Sequence, residues 1–244
     1  MHKRIATTAP LSSQYLATEY SAFEGPAHGT QSTGPFKEIQ DKRPIIAVLW
    51  CMGDDLFWPD YAMSLPSSHQ PIRYDILKGI LPPTTNIQNI YLSGSELSVQ
   101  SSAASPVKTY LLAVLQNDAT DKKIAGTCFG AQALAKWALN KHVFCSYTPE
   151  EDLFREIEIN GQKYMGHFNH EWFIQSDTKT DWTILAKKTF SITNAMAKVS
   201  RTECVDVFSA KLPHADILGL IPHPHVPPAE GESIAPIVAK FFEA

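Results

Sequence analysis

Gly126-Thr127-Cys128-Phe129-Gly130 is the segment that most narrows the folds open to this chain. It follows Lys123-Ile124-Ala125, a short segment that reads as a strand. It precedes residues 131–140, whose Ala, Leu and Lys content reads as a helix. A cysteine flanked by glycines between a strand and a helix is the thiol version of a nucleophile elbow, a sharp turn that lifts the nucleophile above the carboxyl edge of a sheet. Unpaired amides and the dipole at the helix start favour thiolate over thiol, and the same amides can stabilise an oxyanion. The plainer alternative is a buried structural cysteine; two glycines and a preceding strand weigh against it.

The rest of the chain predicts a sheet for that elbow to stand on. Residues 44–50, Pro-Ile-Ile-Ala-Val-Leu-Trp, are a continuous apolar run of the kind that fills a buried parallel strand. A second strand is expected over 87–92, ending in Ser93-Gly94-Ser95, and helical spacing of apolar residues marks 107–116. Strand and helix in alternation mean right-handed crossovers and a doubly wound sheet. The alternating residues 156–164 surround Asn160-Gly161, a hairpin signal. Further strands over 182–186, 204–208 and 217–221 are expected as antiparallel additions, and 230–242 as a terminal amphipathic helix. The expected fold class is therefore α/β: one domain over residues 41–244, with a mixed, mostly parallel sheet and helices on both faces. Residues 1–40, rich in Ser, Thr, Gly, Pro and Gln without a period, read as an N-terminal extension, mobile or draped over the domain and removable at little cost.

Charge and cysteine usage exclude several function classes. Among 244 residues, 21 basic and 25 acidic side chains leave a net charge of −4, without the basic face that nucleic acid requires. The four cysteines are dispersed with no Cys-x-x-Cys pair, which argues against a zinc site or disulfide framework and fits reduced thiols in the cytoplasm. The first residues lack the apolar core of a secretory signal, and no stretch is apolar enough to span a membrane. His214, His223 and His225 lie close together, but prolines stiffen their segment and no further ligand stands at metal spacing, so no metal and no cofactor are expected. His167 and His170 read as hydrogen-bonded strand residues.

The elbow and its continuation, Gly126-Thr127-Cys128-Phe129-Gly130-Ala131-Gln132 followed by Leu134-Ala135, resemble the class I glutamine amidotransferases, especially the GMP synthase-like glutaminase branch. The similarity extends over roughly residues 44–226. It takes in Leu92-Ser93-Gly94-Ser95, Asn169-His170-Glu171-Trp172, and the strand Ile217-Leu218-Gly219-Leu220-Ile221 that runs into Pro222-His223-Pro224. The resemblance implies a flavodoxin-like amidotransferase fold, with glutamine or a γ-glutamyl amide hydrolysed through a cysteine thioester. Cys128 would be the nucleophile and His223 the base that activates it and then protonates the departing ammonia. The oxyanion donors would be the amides of Phe129 and of the Ser93-Gly94-Ser95 loop, with Gly94 the first choice. Ser93, Ser95, Gln132 and the segment Asn169, His170, Glu171 and Trp172 would hold the substrate. With no ATP-binding P-loop in the sequence, an acceptor-activating synthetase subunit is expected to be a separate protein.

Two positions depart from that pattern. His225 stands where the family has the Glu that orients the catalytic imidazole. A neutral imidazole can accept a proton from its neighbour but brings no negative charge. Glu171 replaces a usual Gly, adding bulk and charge where the glutamine carboxylate would sit. These departures support a second reading, a catalytically degenerate relative with a binding or regulatory role.

Overall fold

The structure, a computed structural model, describes residues 42–85, 87–117, 120–193 and 199–244. The expected extension over 1–40 lies outside them. β1 (Ile45–Trp50) is buried at every position but its first, as an apolar run flanked by strands on both sides requires. It pairs in parallel with β2 (Gln70–Asp75) on one side and β3 (Asn89–Leu92) on the other. Beyond β3 come β4 (Lys122–Thr127) and β9 (Ala215–Leu220), also parallel. The order β2-β1-β3-β4-β9 is that of flavodoxin-like sheets.

On the far side of β9 the sheet turns antiparallel. β8 (Val199–Leu212) pairs with β9, and its other partners are β6 (Gln162–Gln175) and β7 (Thr183–Thr193). β5 (Val143–Ile159) closes that edge against β6, through a hairpin in which Asn160 and Gly161 hold φ of 51° and 80°. Both signs are what a two-residue hairpin turn needs. The mixed α/β sheet is thus as expected, while its appended strands are much longer than their apolar cores suggested.

The helices also shift from their expected limits. α1 (Trp58–Met63) and α2 (Ser105–Gln116) precede β2 and β4, respectively. The helix expected over 131–140 begins earlier as α3 (Phe129–Ala133) and continues as a π-helical turn over Leu134–Ala138. The terminal helix α4 covers only Ala235–Glu243, because residues 230–234 instead carry a loop that bridges Ser233 to Met165 of β6.

Candidate active site

Cys128 caps α3 at the carboxyl end of β4 with φ of 51°, a strained conformation for a residue with a side chain. Its neighbours explain how the turn closes. A Cβ on Gly126 would lie 2.6 Å from the carbonyl carbon of Gly130, and one on Gly130 would lie 2.4 Å from the Leu92 carbonyl oxygen. Only glycine lets the elbow fold back on itself and pack on β3. The Cys128 amide donates to the Leu220 carbonyl at 2.8 Å, which ties the elbow to β9.

Two backbone N–H groups, those of Phe129 and Ser95, hydrogen-bond the Cys128 sulfur and pull its pKa down. Burial pulls harder the other way, and the thiol is pushed up to about 11. The sequence argument for a thiolate weighed only the helix start; with a five-residue helix and a buried sulfur, desolvation wins. The Asn169 carbonyl accepts the thiol proton at 3.8 Å.

The loop amide facing the sulfur is that of Ser95. Gly94, the expected donor, is engaged elsewhere: its N–H donates to the Tyr61 hydroxyl at 2.9 Å. Ser93 does not face the cleft either, for its buried hydroxyl accepts from the Cys51 amide and donates to the Gly94 carbonyl, both at 2.9 Å. Gly94 still matters by being small. A Cβ there would meet Tyr61 Oη at 2.8 Å, His223 Cε1 at 3.2 Å and Cys128 Cβ at 3.6 Å, so this one point touches nucleophile, base and α1.

His223 follows β9, and its backbone N–H donates to the His167 carbonyl at 2.8 Å. Its ring donates to the Asn169 backbone carbonyl, while Nε2 is buried with no partner. Burial, then the neighbouring imidazoles of His225, His167 and His170, drive its pKa down to about 3. Cys128 and His223 therefore rest as a neutral pair, with an imidazole free to accept a proton.

His225 does not orient that ring through a hydrogen bond to Nε2. It stacks on Tyr61 at 3.8 Å between centroids, meets His223 edge to face at 5.2 Å, and keeps a buried Nδ1 with no partner. Burial and His167 lower its pKa to about 4. No carboxylate stands behind His223 in the hydrogen bonds of the described residues. Tyr61, which organises this wall, is invisible to sequence reasoning, because a lone tyrosine in a six-residue helix carries no pattern.

The other expected substrate residues divide. Gln132 lines the cleft and donates from Nε2 to the Trp172 carbonyl at 3.1 Å, so it braces that segment. His170 is buried, bonded to the Trp172 carbonyl at 2.9 Å and to Glu150 at 3.2 Å, which agrees with the reading of a hydrogen-bonded strand residue. His167 likewise bonds Asp152 at 2.8 Å. Asn169, Glu171 and Trp172 border the cleft, whose volume is about 640 Å³. Among the described residues, no group of three or more His, Cys, Asp or Glu side chains is placed to ligate a metal, and no helix is long and apolar enough to cross a membrane.

Among solved structures, a Thermoplasma acidophilum protein provisionally named a GMP synthase subunit superposes with a TM-score of 0.56 at 18% identity, covering 83% of this chain and 93% of that one. The chain has the glutamine amidotransferase fold. A glutamine amidotransferase from Thermotoga maritima superposes with a TM-score of 0.54 at 15% identity, over 76% of this chain and 78% of that one. No protein-family model and no curated protein sequence matches this chain.

Proposed function

We propose that this protein is a thiol amidohydrolase that cleaves a carboxamide of the glutamine type, the side chain of glutamine or a γ-glutamyl amide, and releases ammonia. The observation that carries the reading is the surround of Cys128: an elbow sulfur bonded by the amides of Phe129 and Ser95, with the neutral imidazole of His223 across Gly94. In the first half-reaction Cys128 Sγ attacks the amide carbon while His223 accepts the thiol proton. The oxyanion takes the two amides that the resting sulfur now occupies. The C–N bond then breaks as imidazolium returns its proton to nitrogen, leaving ammonia and an acyl thioester. Water, deprotonated by the same imidazole, attacks the thioester; the C–S bond breaks and the thiol regains its proton. The ammonia would pass to an acceptor activated by a separate synthetase subunit.

The reading of a degenerate binding protein is favoured by one observation, the lack of a carboxylate behind His223 among the described residues. Ammonia release from small primary carboxamides, measured on the wild type and on Cys128→Ala, separates the two. The enzyme reading expects turnover that falls at least about ten-thousandfold in the variant, as for loss of a nucleophile, with circular dichroism unchanged. Turnover that survives Cys128→Ala, or a folded wild type that releases no ammonia from any carboxamide, would overturn it.

A further inference from the structure

The cleft around Cys128 is lined by four carboxylates, Glu96, Glu150, Glu151 and Glu171, and by no lysine or arginine among the described residues. Glu150 is the compensated one, held by Arg155 at 3.0 Å and by Lys188 at 3.9 Å. Glu96, Glu151 and Glu171 are exposed at the rim and form no ion pair among the described residues. The imidazoles of His223 and His225 do not offset them, because burial holds both uncharged at neutral pH. His167 and His225, only 8% and 9% exposed, also line the cleft, and each keeps a buried Nδ1 with no hydrogen-bond partner among the described residues. Met52, Phe57, Tyr61 and Trp172 supply apolar and aromatic faces beside the carboxylates.

From this arrangement we infer that the carboxamide substrate carries a cationic group at its far end and no carboxylate there. The inference rests on the amidohydrolase reading of Cys128 but revises its substrate: the carboxamide is kept, and the amino-acid carboxylate of glutamine gives way to a cation. A free amino-acid carboxylate entering this cleft would meet carboxylates with no lysine or arginine among the lining residues to bind it. An ammonium would be attracted by the same charges and could lie over an aromatic face. Glu171 follows the segment that would hold the far end of the substrate, which places it to make the selection.

Four amides that share a four-carbon chain or its near equivalent test this: γ-aminobutyramide, a cation; butyramide, uncharged; glutamine, a zwitterion; and glutaramate, an anion. Turnover is read as ammonia release by the wild type, and binding by calorimetry on Cys128→Ala. The expected result is a kcat/KM for γ-aminobutyramide at least about tenfold above that for glutaramate or glutamine, with butyramide between. Binding to the alanine variant should follow the same order. Glu171→Gln combined with Glu96→Gln should shrink the preference several-fold, read as the ratio of kcat/KM for γ-aminobutyramide to that for butyramide. Turnover that favours glutaramate or glutamine overturns the charge inference and leaves the amidohydrolase reading standing. Cation-selective binding without any turnover keeps the charge inference for the cleft and sinks the amidohydrolase. Neither binding nor turnover overturns both.

Discussion

The sheet has two halves that do different work and are built differently. The parallel half supplies the reacting groups: the Ser95 amide beyond β3, Cys128 and Phe129 beyond β4, and His223 beyond β9. All stand at carboxyl ends of adjacent strands, where an open α/β sheet presents its ligands. The antiparallel half supplies the facing wall, Glu150, His167, Asn169, Glu171 and Trp172, from β5 and β6. The parallel half is held by apolar burial and close backbone approach. The antiparallel half adds to its own buried apolar residues an ion network: Arg155 bonds Glu150 at 3.0 and 3.1 Å and Asp206 at 2.9 and 3.0 Å, with its guanidinium 3.8 Å from the Phe168 ring. The nucleophile and its oxyanion donors thus belong to a rigid frame, while the wall that selects substrate depends on charge balance.

The largest expected effect comes from breaking that balance. Arg155→Met leaves Asp206 without its cation and Glu150 with only Lys188 at 3.9 Å, and the loss of one partner from a buried network costs about 3–5 kcal/mol. Burial already raises the Asp206 pKa, so it tolerates its charge only with Arg155 present. Urea denaturation should show the drop, and adding Glu150→Gln with Asp206→Asn should recover much of it. No recovery would mean that Arg155 stabilises by packing on Phe168 and not by charge.

The matching change in the parallel half is Gly130→Ala. The new Cβ would sit 2.4 Å from the Leu92 carbonyl oxygen, so β3 and the elbow must part. Overpacking of this kind costs about 1–3 kcal/mol. Because the Ser95 amide rides on the end of β3, kcat should fall at least about a hundredfold, the scale of losing one oxyanion donor. A variant with full kcat would show that the donor is placed by Tyr61 and α1 alone.

The same division explains which features are legible in the sequence. β1 is apolar on both faces and therefore stands out as an uninterrupted run. β2 escapes such a reading: it is an edge strand paired only with β1, half-buried throughout, and interrupted by Pro71 and Arg73. Cys128 and His223 are legible because local chemistry marks them, a glycine-flanked thiol and a histidine closing an apolar strand. That Ser95 and not Gly94 donates to the sulfur is not legible. The choice is made by Tyr61, thirty-three positions away from Gly94, which claims that amide first. The partners of His167 and His170 are equally hidden, because register shifts between Cys145 and Leu153 decide which side chains of β5 face them.

A smaller effect follows from the two buried imidazoles at the end of β9. Both have folded pKa values below the ordinary 6.5, about 3 for His223 and about 4 for His225. The unfolded chain then binds more protons than the folded one as pH drops below about 6.5, so stability falls with falling pH. Each imidazole adds a slope approaching roughly 1.4 kcal/mol per pH unit well below 6.5. Measured between pH 6.5 and 5, above the range where carboxylates titrate, the slope should shrink in a His223→Gln, His225→Gln double variant. An unchanged slope would assign the acid sensitivity to the antiparallel half instead.

The smallest effect, and the one that best separates frame from wall, is expected at His225. Restoring a carboxylate with His225→Glu places a negative charge beside the His223 ring, whose Nε2 stays free to accept the thiol proton, so the carboxylate acts on imidazolium through space. An opposite charge at roughly 5 Å attracts imidazolium by about 3 kcal/mol at an effective dielectric of about 20, against about 0.5–1.5 kcal/mol lost with the ring stacked on Tyr61. Burial of the new carboxylate takes back part of the gain, so the net should be a rise in kcat of about tenfold. The carboxylate should also lift the His223 pKa from about 3, because it favours imidazolium. The base must be unprotonated to act, so the acid limb of the kcat/KM profile should move to higher pH. A His225→Ala variant should leave that limb near its original position and lose only the support of Tyr61. If His225→Glu moves neither kcat nor the acid limb, then the Asn169 carbonyl alone orients His223, and the antiparallel wall contributes to catalysis as well as to selection.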